Sequence, residues 1–179
     1  MILASQSPRR RELMKYITEA FTVKVSDVDE TLPEGISPSD AVLRLSKIKA
    51  LPFRETGETV IGADTVVALG DTILGKPKDA ADAVEMLRLL SGKTHSVFTG
   101  VTVLQGEKET SFFSETKVTF FTLTDEEIDA YVATGEPLDK AGAYGIQGGA
   151  CLFVRKIDGD YFNVVGLPVS ELHQVLKVF

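Results

Sequence analysis

The sequence predicts an α/β protein: a mixed, twisted sheet with helices packed around it. Helix and strand signals alternate along the whole chain, which sets the class. Long β-rich runs joined by short turns demand antiparallel pairing, which a wholly parallel sheet cannot supply. No repeat, low-complexity segment or long linker interrupts the 179 residues, so residues 1–179 are expected to form one domain.

A short apolar run, Ile2-Leu3-Ala4, leads into Ser5-Gln6-Ser7-Pro8. Ser7 suits a helix N-cap and Pro8 the first helical position. Arg9, Arg10 and Arg11 then fall in the first turn, where the helix dipole disfavours each by roughly 0.3–1 kcal/mol. Two readings stay open: a cluster of donors that receives an anion, or a solvated basic turn. Phe21, Val23 and Val25 alternate as a strand does. Asp27 to Gly35 is an acidic loop. Ser37-Pro38-Ser39-Asp40 opens a helix with Ala41, Leu45 and Ile48 on its buried side. Thr59 to Ala63 reads as a short buried strand ending at Asp64.

Val66 to Leu69 and Thr72 to Leu74 flank Gly70-Asp71, a two-residue hairpin turn. Asp79 caps a helix carrying Ala83, Val84, Leu87 and Leu90 and stopping at Gly92. The runs His95 to Leu104 and Thr110 to Phe121, joined by Gln105-Gly106-Glu107, predict a long antiparallel pair. Thr124-Asp125-Glu126-Glu127 is a capping box, and Gly135 closes its helix. Pro137 to Gly149 is a glycine-rich loop. Cys151 to Ile157 and Tyr161 to Val165 predict another hairpin about Asp158-Gly159. Pro168 starts a final helix with Val169, Leu172 and Leu176 inward.

Apolar residues at 44% and charged residues at 25% are ordinary for a soluble globular protein. No apolar stretch is long enough to span a membrane, and the N-terminus lacks a signal-peptide pattern. One cysteine and two histidines supply neither an internal disulfide nor a zinc cluster. These features predict a cytoplasmic protein. The net charge of −7 argues against a broad nucleic-acid surface and repels anionic ligands at long range. A phosphate compound therefore needs a local basic pocket, with a metal ion expected beside it.

Four segments place polar residues where core packing does not explain them. They are the serine–arginine turn, Asp27-Val28-Asp29-Glu30, Gly62-Ala63-Asp64-Thr65 and Gly75-Lys76-Pro77-Lys78. A carboxylate leaving a buried strand can cap or pair structurally, hold a metal, or act as a base. Together the cations and carboxylates suit metal-assisted attack of water on a phosphate ester or anhydride. The GxxxxGK[ST] and GxGxxG loops are absent, which speaks against ordinary kinases and dinucleotide dehydrogenases. His95 in a β-rich run and His173 on the last helix read as structural or solvated.

Ser5-Gln6-Ser7-Pro8-Arg9-Arg10, Gly62-Ala63-Asp64-Thr65, Lys76-Pro77, Leu90-Ser91-Gly92 and the run Asp139 to Gly148 resemble the Maf family of nucleotide pyrophosphatases. Gly166-Leu167-Pro168 fits as well, and the match runs collinearly over essentially the whole chain. The resemblance implies hydrolysis of a nucleoside triphosphate to a monophosphate and pyrophosphate, with a divalent metal such as Mg or Mn. It also implies two lobes around a cleft, in a fold similar to inosine triphosphate pyrophosphatase, and a homodimer. The run Asp139 to Gly148 resembles the branch acting on dTTP and UTP.

Residue roles carry over from the same resemblance. Asp64 is the expected proton acceptor or metal ligand, and Glu30 the second metal carboxylate, with an exposed loop acid as its alternative. Arg9, Arg10 and Ser5 are expected to hold the triphosphate, and Lys49 and Lys76 to neutralise it. Arg9, Thr65 and Gln147 are implied to set base choice. The Gln147 amide offers one donor and one acceptor, matching O4 and N3–H of thymine or uracil, whereas cytosine presents the reverse. Arg11, Lys47 and Lys78 are expected at the surface, and Lys140 to support the glycine-rich loop or touch a phosphate. A non-standard nucleotide, or a non-enzymatic nucleotide- or DNA-binding role in septum formation, is the alternative reading.

Overall fold

Seven strands form one mixed sheet in the computed structural model, which describes residues 1–179. They are β1 (Ile2–Ala4), β2 (Thr22–Lys24), β3 (Val60–Leu69), β4 (Thr72–Leu74), β5 (Thr94–Gln105), β6 (Lys108–Phe120) and β7 (Val154–Asp158). The order is β2-β1-β3-β5-β6-β7, with β4 paired to β3. β1 runs parallel to both β2 and β3, and every other pairing is antiparallel. The mixed sheet and the long β5–β6 ribbon expected from sequence are both present. β2 spans only three residues at the sheet edge, which leaves Val23 and Val25 exposed.

Six α-helices flank the sheet: α1 (Pro8–Met14), α2 (Pro38–Ala50), α3 (Ala80–Leu90), α4 (Asp125–Val132), α5 (Tyr161–Val165) and α6 (Val169–Val178). Four begin as their sequences dictate. Ser7, Ser37 and Asp79 each accept a hydrogen bond from the backbone N–H three residues on. Thr124 and Glu127 complete a reciprocal capping box. The larger apolar core joins one sheet face (Leu3, Ile61, Ala63, Val101, Val118) to Leu87 and Leu90 of α3, Ile128 of α4 and Leu172 of α6. The opposite face carries Ile2, Ala4, Val60 and Leu104 with Ala50 of α2.

Two glycines let α2 lie directly on the sheet. A Cβ at Gly62 of β3 would sit 2.2 Å from the Ser46 carbonyl oxygen, and one at Gly100 of β5 would sit 2.3 Å from that of Val42. No other residue type fits without lifting the helix.

Three expectations require correction. The chain from Val60 to Leu69 is one continuous strand, so β3 does not end at Asp64. What ends there is the pairing on one side: β1 stops at Ala4 opposite Gly62, and β4 pairs only from Val67 onward. Tyr161 to Val165 is a helix, not the return strand of a hairpin. Asp160 caps it by accepting the Phe162 N–H at 2.8 Å, and Gly166 ends it at φ 128°. β7 pairs with β6 on one side and forms the edge of the sheet. Finally, residues 149–153 form a 3-10 turn, so β7 begins only at Val154. The loop from Pro137 to Gly149 likewise contains two short 3-10 turns.

Candidate active site

The gap on the edge of β3 creates the site. β1 runs parallel and β4 antiparallel to β3, so the C-terminal ends of both point into the gap from opposite directions. Ser5 and the helix α1 follow one end, and Gly75-Lys76 the other. Crevices beyond the carboxyl ends of strands are where α/β sheets bind ligands. A cleft of about 1030 Å³ opens here, and Ser5, Arg9, Arg10, Glu30, Lys49, Asp64, Thr65, Lys76 and Gln147 all line it. All nine sequence-predicted site residues therefore meet at one place.

Strand alternation divides their work. Asp64 shares the face of β3 with Val60 and Gly62, the face covered by α2. The Lys49 ammonium of α2 contacts the Asp64 carboxylate and lies 3.1 Å from Glu30 Oε2. Lys49 thus ties two acids to one point, a role sequence reasoning did not assign to it. Glu30 is half exposed and ion-paired to Lys49.

Thr65 faces the other side. Buried Arg10 donates from Nε to the Gly166 carbonyl at 2.7 Å, from Nη1 to Ser5 Oγ at 3.3 Å and from Nη2 to Thr65 Oγ1 at 2.8 Å. Three of its five N–H groups are committed and two are not. Burial lowers the Arg10 pKa and nearby Asp64 opposes the shift. Beyond Thr65, Thr99 Oγ1 donates to the Asn163 carbonyl at 3.0 Å and pairs with Thr65 Oγ1 at 2.9 Å. Thr99 has one hydrogen, so Thr65 must donate to Thr99 and keeps only an acceptor for the cleft. Thr99 and Asn163 escaped sequence reasoning, because nothing near them in the chain marks a site thirty or more residues away.

Arg9 is partly exposed and lies 4.0 Å from Asp139. Gln147 stands exposed on the glycine-rich segment across from it. Lys140 supports that segment: its ammonium donates to the Glu136 carbonyl and to Asp139, each at 2.6 Å. Its alkyl stem fills the space a Cβ on Gly145 would need. Arg11 is exposed, and Lys47 forms a surface ion pair with Glu109 at 2.6 Å. His95 is buried and does not line the cleft itself; it bonds through Nε2 to the hydroxyl of the cleft-lining Tyr144 at 2.8 Å and packs edge-on against Phe120.

The acids fit a hard divalent cation. Two carboxylates already converge on one positive group, the Lys49 ammonium, and oxygen donors suit Mg²⁺ or Mn²⁺. No cluster of three or more His, Cys, Asp or Glu side chains is present, so a cation held by these two acids would need further oxygen ligands from outside the protein side chains.

Known proteins resemble this chain over its whole length. A protein named dTTP/UTP pyrophosphatase from Bacillus cytotoxicus is 56% identical over 180 residues, covering 99% of this chain and 94% of that one. Its namesake from Bacillus mycoides is 53% identical, covering 100% and 95%. Among solved structures, HAM1 proteins from Coxiella burnetii and Staphylococcus aureus share the fold with a TM-score of 0.53 and 13% identity, each covering 99% of this chain. No helix is long and apolar enough to cross a membrane. The family model described as Maf-like protein matches residues 1–179, and the chain belongs to the Maf family.

Proposed function

We propose that this protein hydrolyses dTTP and UTP to the nucleoside monophosphate and pyrophosphate with the help of a divalent cation. The observation that carries the reading is the meeting of Asp64 and Glu30 with Arg9, Arg10, Lys49 and Lys76 in one cleft. The relatives named dTTP/UTP pyrophosphatase support it at 52–56% identity.

Glu30 and Asp64 would hold the cation, at the place where the Lys49 ammonium now bridges them. Bound there, a divalent cation would polarise the phosphate oxygens and lower the cost of the charge that develops on them. Asp64 sits 14% exposed in the floor of the cleft, where its free carboxylate oxygen can take a proton from an attacking water. Lys49, once released from the acids, and Lys76 neutralise the phosphates. Arg10, held by three bonds in the cleft wall, would present a fixed positive charge to the phosphates, which costs little reorganisation during reaction. No side-chain nucleophile is required, and the pyrophosphate leaves as an anion among these cations. Gln147 reads the base edge, and its donor–acceptor pair selects thymine or uracil over cytosine.

The test is a panel of dTTP, UTP, CTP, GTP and ATP with pyrophosphate detection, run with and without excess chelator. The reading predicts cleavage of dTTP and UTP above the others and loss of activity with chelator. A purine preference refutes the substrate assignment, and activity that survives the chelator refutes the cation.

A further inference from the structure

We propose that Glu136 is the positioning residue for base selection, because its carboxylate clasps both ends of the turn that carries Gln147. The proposal rests on the reading of Gln147 as the base reader. Glu136 follows Gly135, whose φ of 75° turns the chain back after α4. One carboxylate oxygen, Oε2, accepts the Gly149 N–H at 3.1 Å. The other, Oε1, accepts the Tyr131 hydroxyl at 3.0 Å. That hydroxyl in turn accepts the Gly145 N–H at 3.2 Å. Residues 145 and 149 are therefore tied to one carboxylate, one directly and one through a buried phenol, with Gln147 midway between them.

The glycines of this turn record the same clasp. A Cβ on Gly148 would lie 1.9 Å from Glu136 Oε1, so the backbone packs onto the carboxylate with no room for a side chain. A Cβ on Gly149 would meet the Tyr131 ring at 3.2 Å. Tyr131 is itself fixed edge-on against Phe153, 5.2 Å between ring centres. Gln147 is exposed, so the direction of its amide depends on how firmly the turn beneath it is held. A base reader on a loose turn would meet cytosine and thymine with nearly equal ease, since discrimination requires that the wrong base leave fixed polar groups unpaired.

Glu136 also lines the cleft, and a charge-based role in phosphate or cation binding must be separated from a positioning role. Substitution chemistry separates them. Glutamine at 136 can accept the Gly149 N–H with its oxygen and donate its NH₂ to the Tyr131 hydroxyl, so it preserves the clasp without the charge. Alanine removes both bonds.

The experiment measures kcat/KM for dTTP and CTP in wild type, Glu136→Gln, Glu136→Ala and Tyr131→Phe, with circular dichroism melting to confirm folding. Hydrogen exchange of residues 145–149 is followed in parallel. Glu136→Ala should lower the dTTP-to-CTP ratio by roughly tenfold or more, with the loss in the KM for dTTP, and should speed exchange across the turn. Glu136→Gln should hold the ratio to within roughly threefold. Tyr131→Phe should shift the ratio in the direction of the alanine variant. A folded alanine variant with the wild-type ratio overturns the proposal and leaves the base-reading role of Gln147 standing. A glutamine variant as impaired as the alanine one overturns it in favour of charge. A wild-type enzyme with no preference for dTTP over CTP overturns both the proposal and the reading beneath it.

Discussion

Lys49 and Asp64 stand on different elements, fifteen residues apart, and form an ion pair in the floor of the cleft. The pair exists because α2 lies on the sheet through Gly62, two positions before Asp64 on the same face of β3. Packing of the helix and formation of this ion pair are one event. Gly62→Ala should therefore act at a distance. The added methyl would collide with the Ser46 carbonyl, and overpacking of this kind destabilises by about 1–3 kcal/mol. Urea unfolding should show that loss, and turnover should fall with it as Lys49 is carried off Asp64. Wild-type stability in this variant would contradict the packing account.

Asp64→Asn keeps the shape of the side chain and removes its basicity. Turnover should fall by on the order of 10²–10⁴, while the melting temperature stays near that of wild type. Near-normal turnover would remove Asp64 from the chemistry.

Arg10→Lys keeps the charge but loses the fork. A lysine cannot reach the Gly166 carbonyl, Ser5 and Thr65 from fixed directions, as the guanidinium does. Unfolding stability should drop by about 2–3 kcal/mol, because hydrogen bonds to buried charged groups are the strong ones. The KM for nucleotide should rise. Unchanged stability would mean that Arg10 serves only the substrate.

His95 gives the protein a dependence on acid. Burial pushes its pKa down from 6.5 to about 4, and Nδ1 has no partner. Between those values the unfolded chain binds a proton that the folded chain refuses, so stability must fall as pH drops from about 6.5 toward 4. The full loss is on the order of 3 kcal/mol, at 1.36 kcal/mol per pKa unit. Urea melts at pH 7.5 and 4.5 should show a smaller difference in His95→Gln than in wild type. Equal differences would place the acid sensitivity elsewhere.

The sequence made some of this plain and hid the rest for physical reasons. Caps at Ser7, Ser37, Asp79 and Thr124 are local chemistry, and each begins its helix where expected. Seven of the nine predicted site residues fall in collinear motifs, while Glu30 and Lys49 lie outside them and their roles carry over only from the family resemblance; all nine line the one cleft. The continuity of β3 through Asp64 was not legible, since a polar residue inside a strand looks like its end unless the pairing partners are known. Tyr161 to Val165 is rich in aromatic and β-branched residues, which reads as a strand, whereas the Asp160 cap on the Phe162 N–H and Gly166 at its end set it as α5. Lys49 as a bridge, Thr99 behind Thr65 and Glu136 behind Gln147 all depend on contacts between segments distant in the chain. Composition and spacing carry no record of them.

In the proposed reaction, water attacks the phosphorus next to the sugar. Hydrolysis of dTTP in ¹⁸O-labelled water tests it directly, with mass spectrometry of both products. The label should appear in the dTMP phosphate and none in pyrophosphate. Label in pyrophosphate would place the attack on the neighbouring phosphorus and contradict it.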